Sequence, residues 1–558
     1  MEKCEKVERF TSCRGVAFEI KSHSNLFAIT TPPIQSDDQT RHILMKSSWF
    51  PWRTSSRVLP TVSNSLRRSV SRPSSHFCDL DHDEDEYDDE EEELDHDHHV
   101  MNTVLEDGLI KDHQLETKLS RSKREKPKNS RLSIILLDQG LFTVYKRLFL
   151  VSLIINIVGL VLAATGHFPY ARQRATLFSI GNILALTLCR SEVFLRVVFW
   201  LAVKLFGHSW VPLRIKTAIT SLLQSIGGIH SGCGVSSIAW LVYSLILTLN
   251  DRQNTSSGII VVASIILSLL CLSSLAAFPL VRHLHHNVFE RTHRFAGWTA
   301  LFLLWLFIVL TTSYDQQTKS YANHIGSRLL KKQEFWLTTV ISVLIITPWI
   351  TVRRVPVQVS SASGHASIIK FEGGVKAGIL GRISPSPLSE WHAFGIISDG
   401  KTGHMMLAGA VGDFTKSLVA DLPTHLWVRK VHFAGLPYLT NMYDRVLLVA
   451  TGSGICVFLS FLLQESKAEV CLLWVTKGVE ENFGREVKEM VSGWPEGKVI
   501  VHDTAAMGRP DVSKMSVEAA RKWGAEVVLV TSNPQGSRDV VNACKASGIP
   551  AFGPVWDS

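Results

Sequence analysis

Charge is scarce in this 558-residue chain: 19% of its residues are Asp, Glu, Lys or Arg, against 46% hydrophobic. Cysteine is scarce as well, with nine in all, no Cys-x-x-Cys pair and no regular spacing. That pattern excludes a zinc finger and a disulfide framework, and it suits a reducing, cytosol-facing setting for the soluble parts. The chain start lacks a short apolar run behind a basic residue, so no cleaved signal peptide is expected. Acidic residues are few outside one tract. Residues 79–99 ("DLDHDEDEYDDEEEELDHDHH") hold 14 of the 50, which leaves 58 basic residues against 36 acidic elsewhere. A body this basic suits an anionic membrane surface or phosphate ligands; no nucleic-acid partner is expected.

Residues 1–135 read as disordered. A Ser/Arg-rich stretch, the acidic tract and the basic "RSKREKPKNSR" bury too little apolar surface to offset chain entropy. The plain reading is a solvated charged tail. The sharper one is a regulatory partner or phosphorylation switch, with Ser65, Ser69 and Ser71 beside arginines as candidate sites.

Long apolar runs are what the chain has in place of charge. Residues 142–354 read as a multi-pass α-helical membrane bundle of about six helices, at 148–165, 175–189, 220–249, 258–281, 295–312 and 335–352. The stretch Glu192–Phe206 carries Arg196 and Lys204 and reads as an interfacial continuation of the second span, or as a seventh crossing. Six crossings put both termini on one side. Arg190, Arg196, Lys204, Arg214, Lys216, Arg282, Arg291, Arg294, Arg353 and Arg354 fall on that side, which the positive-inside rule makes cytosolic. The Asn254-Thr255-Ser256 sequon then lies outside, while Lys319, Arg328, Lys331 and Lys332 run against this orientation. The expectation is an integral protein of the plasma membrane or an endomembrane, with the lipid bilayer as partner.

After residue 354 the pattern changes. Residues 355–443 are short, β-like and glycine-punctuated, which predicts a small antiparallel β-barrel. Residues 444–558 alternate strand and helix and predict a parallel α/β, Rossmann-like lobe. Its strands are expected at 445–450, 469–475, 498–502 and 526–531, and its first helix at 455–463. Between the first strand and that helix stands Thr451-Gly452-Ser453-Gly454. Glycines there let backbone N–H groups approach a phosphate, and a helix start favours the anion. The context of strand, turn and helix is what raises the value of so short a motif.

Three stretches together resemble the ferric reductase/NADPH oxidase branch of the ferredoxin–NADP reductase superfamily. "WHAFGI" (391–396) stands where that family has His-Pro-Phe-Thr/Ser. "GAVGDFTKSL" (409–418) resembles its Gly-Asp-Trp-Thr-x-x-Leu segment. "LLVATGSGICVFLSFL", "DTAAMGRPDV" and the tail "GIPAFGPVWDS" resemble its NADP-binding lobe. The stretches also resemble a plant and fungal group: fungal transmembrane protein A and plant relatives often labelled adenylate-forming reductase. No adenylation domain precedes the apolar part, so that activity is not expected of this chain. The resemblance implies FAD on the barrel and NADPH on the α/β lobe. Electrons would pass from NADPH through flavin to an unknown acceptor on the cytosolic side. It assigns His392 and Phe394 to the flavin, Thr451, Gly452 and Gly454 to the pyrophosphate, and Arg509, with Lys477 as second candidate, to the ribose 2′-phosphate. Catalytic residues are not assigned. Five positions depart from the pattern: Ala393 replaces proline, Gly395 replaces the hydroxyl near flavin N5, Cys456-Val457 replaces Ala-Pro, and Ser532 replaces a cysteine. A catalytically degenerate membrane regulator or scaffold of the same fold is the alternative.

Ferric reductases hold two haems with four histidines, paired 13–14 residues apart on two helices. Here the only candidates are His230 and His293. Lys216 lies fourteen residues before His230, and Leu306 and Phe307 lie thirteen and fourteen after His293. That register sets His293 opposite Lys216 and His230 opposite an apolar side chain, so haem is not expected. The cluster His283, His285, His286 reads as a basic interfacial loop, and no metal site is predicted.

Overall fold

The computed structural model describes residues 8–11, 17–20 and 143–554, except 279–280, 283–285, 323–324 and 496. The acidic tract, Ser65, Ser69, Ser71, His283 and His285 lie outside the described residues. In the unit Met1–Arg68 the described residues form an antiparallel pair, β1 (Glu8–Thr11) with β2 (Ala17–Ile20). Everything that follows concerns the second unit, Ser69–Ser558.

Its first half is helical: α1 (Val144–Ala164), α2 (Ala175–Leu188), α3 (Glu192–Phe206), α4 (Leu213–Gln224), α5 (Gly227–Asn250), α6 (Ser257–Ala276), α7 (His286–Ser313) and α8 (Gln333–Ile350). Among the described residues α1, α5, α6, α7 and α8 are long and apolar enough to cross a membrane. Helix α2 has 14 residues, about 21 Å at 1.5 Å per residue, short of the roughly 30 Å hydrocarbon core. Ile180, Leu241, Val262, Ile266, Leu304, Ile308 and Ile341 pack between these helices, while Ile154, Ile155, Val158 and Phe302 face outward, exposed. A short pair, β3 (Tyr314–Asp315) and β4 (Ser320–Tyr321), follows α7.

One expected span is two helices. The run at 220–249 breaks after Gln224, because α4 packs on the strand-rich second half. Its Thr220 hydroxyl lies 2.7 Å from that of Tyr443, and its fully buried Lys216 pairs with Asp444 at 3.6 Å.

The second half opens with two antiparallel sheets. One is ordered β10 (Ile397–Ser398), β11 (Gly403–Gly409), β7 (Ala366–Glu372), β6 (Gln358–Ser363). The other is ordered β13 (Phe433–Ala434), β8 (Ile379–Ser384), β12 (His425–Arg429), β5 (Val352–Pro356), with β9 (His392–Gly395) on β8. The helix α9 (Asp413–Asp421) follows β11. Then comes a five-stranded parallel sheet ordered β16 (Val499–Asp503), β15 (Glu469–Thr476), β14 (Arg445–Thr451), β17 (Val527–Thr531), β18 (Ala551–Phe552). Its flanking helices are α10 (Val479–Val491), α11 (Val512–Trp523) and α12 (Pro534–Ala546). Buried on both faces, β14 reads as a continuous Val/Leu run, and Val446 through Ala450 are wholly inaccessible. Each such side chain contributes about 1.5–3 kcal/mol, as an upper estimate.

A buried carboxylate ties the two halves together. Glu192, the first residue of α3, accepts from Arg382 Nε on β8 and from Arg429 Nη1 on β12 at 3.0 Å. The Arg429 guanidinium is stacked over Trp391 at 4.7 Å and Trp349 at 5.6 Å. Removing the carboxylate leaves two crowded guanidinium groups without their counter-charge, a defect that costs about 3–5 kcal/mol for buried pairs. Glu192→Gln is therefore expected to lower the melting temperature of the detergent-solubilised protein by several degrees in a thermal-shift assay. An exposed pair, Lys488 with Glu480, serves as control: Lys488→Ala should move it little.

Candidate functional site

In a parallel sheet of this order a ligand crevice forms at the carboxyl ends of the strands, where the direction of winding reverses. Here that point lies between β14 and β17. Thr451 ends β14, Ser532 follows β17, and their hydroxyl oxygens are 2.7 Å apart. The glycine turn itself is not followed by the expected helix. Gly452–Val457 form a 3-10 turn, and only Ser460–Leu463 are α-helical. So short a helix offers little dipole for a phosphate. Gly452 has φ +50°, where a side chain is strained, and its carbonyl accepts from Trp474 Nε1 at 2.9 Å.

The reason the helix is cut short lies across the lobe junction. The whole turn is buried, and the segment after it is bonded to the antiparallel sheets. Ser460 Oγ donates to the Ile396 carbonyl at 2.7 Å and accepts from Ser398 N at 3.0 Å. Gln464 Nε2 donates to the carbonyls of Val375 and Ser398, both at 2.8 Å, and its Oε1 accepts from Ala377 N at 3.1 Å. At the centre of this contact a β-carbon on Gly395 would fall 2.6–2.8 Å from Val457 Cγ1, Cα and N. Glycine stands at 395 because backbone passes there.

The remaining site residues are spread along the same junction. His392 lies flat on Phe414 at 4.5 Å, beside the start of α9. There the Thr415 hydroxyl accepts from Val411 N at 3.0 Å and Gly412 N at 2.9 Å. Phe394 is 1% exposed. Lys477 follows β15 and Arg509 lies in the loop after β16; both are exposed at the carboxyl edge, one and two strands from Thr451. Between them Asp503 accepts from Gly478 N at 2.8 Å, Val479 N at 3.2 Å and Ala505 N at 2.9 Å. Partial burial raises the Asp503 pKa, but these N–H donors outweigh it and hold the carboxyl below its usual value. The turn, Lys477 and Arg509 thus share one edge, and the strand that carries His392 and Phe394 approaches the turn where Gly395 meets Val457. Sequence reasoning missed Ser460, Gln464 and Asp503. Only the recurrence of glycine on strands, a mark of close backbone approach, could have hinted at them.

In the helical half the structure corrects the histidine register. His230 on α5 and His293 on α7 face each other, ring centroids 6.5 Å apart and planes inclined by 50°. His230 Nδ1 lies 2.9 Å from the Leu186 carbonyl; His293 Nδ1 lies 2.8 Å from Ser273 Oγ and 3.2 Å from the Ser273 carbonyl. A carbonyl only accepts, so each Nδ1 carries the proton and each Nε2 the lone pair. Counting back to Lys216 fails because the helix breaks between them. Among the described residues no group of three or more His, Cys, Asp or Glu is placed to hold a metal ion.

Residues 436–558 match the family model described as Adenylate-forming reductase 03009, C-terminal domain. The chain is 34% identical over 430 residues to Adenylate-forming reductase 06235 of Coprinopsis cinerea, and 34% identical over 431 residues to Adenylate-forming reductase 03009 of the same fungus. Each match covers 76% of this chain and 41% of the relative, so the chain spans about two fifths of the length of the curated relatives it matches. Among solved structures it is similar to phthalate dioxygenase reductase, at 12% identity and TM-score 0.29 over 37% of this chain and 69% of that one. It is also similar to a flavohemoglobin from Malassezia yamatoensis, at 12% identity and TM-score 0.31 over 68% and 99%.

Two outcomes follow from the junction. Gly395→Ser forces backbone apart and is expected to destabilise the protein by about 1–3 kcal/mol, read as a lower thermal midpoint. Burial pushes the Cys456 thiol up to about 12. At pH 8 only about one part in ten thousand is then thiolate, so a maleimide should label Cys456 in urea and leave it untouched in the folded protein.

Proposed function

We propose that this chain is a membrane-embedded oxidoreductase that draws electrons from NADPH, with FAD as its bound carrier, and delivers them to an acceptor on the cytosolic side. One observation carries the reading: the parallel sheet brings a glycine turn, Lys477 and Arg509 to a single carboxyl edge with Thr451 and Ser532 at the reversal point. The similarity to the reductases of Coprinopsis cinerea supports it, and the ferric reductase/NADPH oxidase branch is the part of the superfamily it fits. Arg509 would take the 2′-phosphate, since a planar guanidinium matches phosphate with two parallel bonds. FAD, when bound, supplies the exchange between hydride and single electrons. His392, stacked on Phe414 beside the start of α9, would meet the flavin there. The ring-facing residues Phe394 and Gly395 are covered, so the isoalloxazine enters only with the lobes parted at Gly395 and Val457. The apolar helices support the bilayer location.

The test is an absorbance scan of purified full-length protein, then NADPH and NADH titrations. Flavin bands, or uptake of added FAD, are expected. Arg509→Ala should weaken NADPH binding roughly ten- to hundredfold, about 1.5–3 kcal/mol, and leave NADH binding nearly unchanged. Protein that stays colourless in excess FAD would instead make the chain a scaffold of this fold.

The facing histidines favour a second, additional reading, a single haem held between His230 and His293. Both imidazoles are fixed through Nδ1, which leaves Nε2 of each to ligate. A haem there would supply a one-electron carrier within the bilayer. A Soret band that disappears in both His230→Ala and His293→Ala supports this reading; wild-type protein without the band after haem supplementation refutes it.

A further inference from the structure

The helix α3 (Glu192–Phe206) has two faces that belong in different surroundings. Phe199, 5% exposed, and Ala202 enter the continuous core of the strand-rich half, where Val198, Val203 and Phe206 pack against it. The opposite face presents Val193, Phe194, Val197, Trp200, Leu201 and Leu205, all exposed, with Val197 at 54%. Their spacing of three and four residues puts them on one stripe. Four residues beyond the helix end, Trp210 is 77% exposed and stacks on His208 at 5.8 Å.

This helix cannot be a seventh crossing. Fifteen residues span about 22 Å, less than the hydrocarbon core, and one side is already committed to protein. Nor is it built for water. Its apolar stripe is a contiguous patch of the kind that marks a contact surface. The exposed charges share one sign: Lys204, whose ammonium lies 5.0 Å over the Trp200 ring, Arg214 on α4, and Arg196, whose Nη1 donates to the His432 carbonyl at 3.2 Å. Between Glu192 and Asp251 the chain has no acidic residue at all.

We propose that the outer face of α3, with Trp210, lies flat in the cytosolic leaflet and binds anionic lipid headgroups through Lys204 and Arg214. A helix with apolar and aromatic side chains on one face and cations at its rim sits at the headgroup boundary, where the indole rings belong. Anionic lipids attract such cations. The surface is continuous with the bilayer-facing helices: α2 ends at Leu188, and α3 begins at Glu192. The inner face of α3 meets the lobes, so the same helix presses the strand-rich half against the membrane. This inference rests on the membrane location proposed above.

The experiment uses full-length protein carrying photoreactive benzoylphenylalanine at position 200 or 210, in nanodiscs of phosphatidylcholine with or without phosphatidylserine. Position 158, exposed on α1, reports the membrane location itself, and position 507, exposed in the α/β lobe, reports background. Lipid adducts are expected at 158, 200 and 210 but not at 507. The yield at 200 and 210 should rise with phosphatidylserine, and Lys204→Glu should abolish that rise. Adducts at 158 alone, or protein adducts at 200 and 210 that join two copies, overturn the inference and leave the membrane location standing. Equal yields with and without phosphatidylserine overturn the assignment to anionic lipid. No lipid adduct at any position overturns both.

Discussion

The distance between the backbone of Val457 and that of Gly395 governs the strand-rich half of this protein. Because glycine lets the two chains touch, the turn after β14 is drawn under the antiparallel sheets, and Ser460 and Gln464 then find backbone partners there. Side chains from both lobes, among them Ile383, Phe394, Ile455, Phe458 and Trp474, form one hydrophobic core. A turn that could cradle phosphate is therefore first a clasp. The glycine turn proposed to hold the nucleotide is thus also where the two lobes meet.

The clasp joins lobe to lobe; a second set of contacts joins lobes to helices. Glu192 with Arg382 and Arg429, Lys216 with Asp444, Thr220 with Tyr443 and Arg291 with Glu390 at 2.7 Å all cross that boundary. A buried carboxylate shared by two guanidinium groups is a costly arrangement unless its geometry is fixed, and the stacked Trp349 and Trp391 fix it. These contacts fix the lobes against the helices and hold the inner face of α3 on the core.

Parts of this were legible in the sequence and parts were not, for physical reasons. The parallel strands showed because burial on both faces writes them as unbroken runs such as "RVLLVAT" and "EVCLLWVT". The run at 220–249 misled because hydropathy is blind to a partner far along the chain: Asp444 is what makes Lys216 a buried residue of α4. Once that break is unseen, the histidine register is lost too, and the facing of His230 and His293 depends on how α5 and α7 pack. At the candidate site the glycine turn could be read, as could the positions of Lys477 and Arg509 after successive strands. The burial of the turn could not, since it is set by Gly395, a residue whose sequence context suggests only a lost hydroxyl.

The clasp is tested most directly by hydrogen–deuterium exchange of the full-length protein in nanodiscs across a urea series. If the turn is a clasp, peptides covering 445–464 and 392–398 are strongly protected without urea and lose protection together, at one midpoint. Fast exchange of the glycine turn under native conditions, or separate midpoints for the two peptides, would contradict the account.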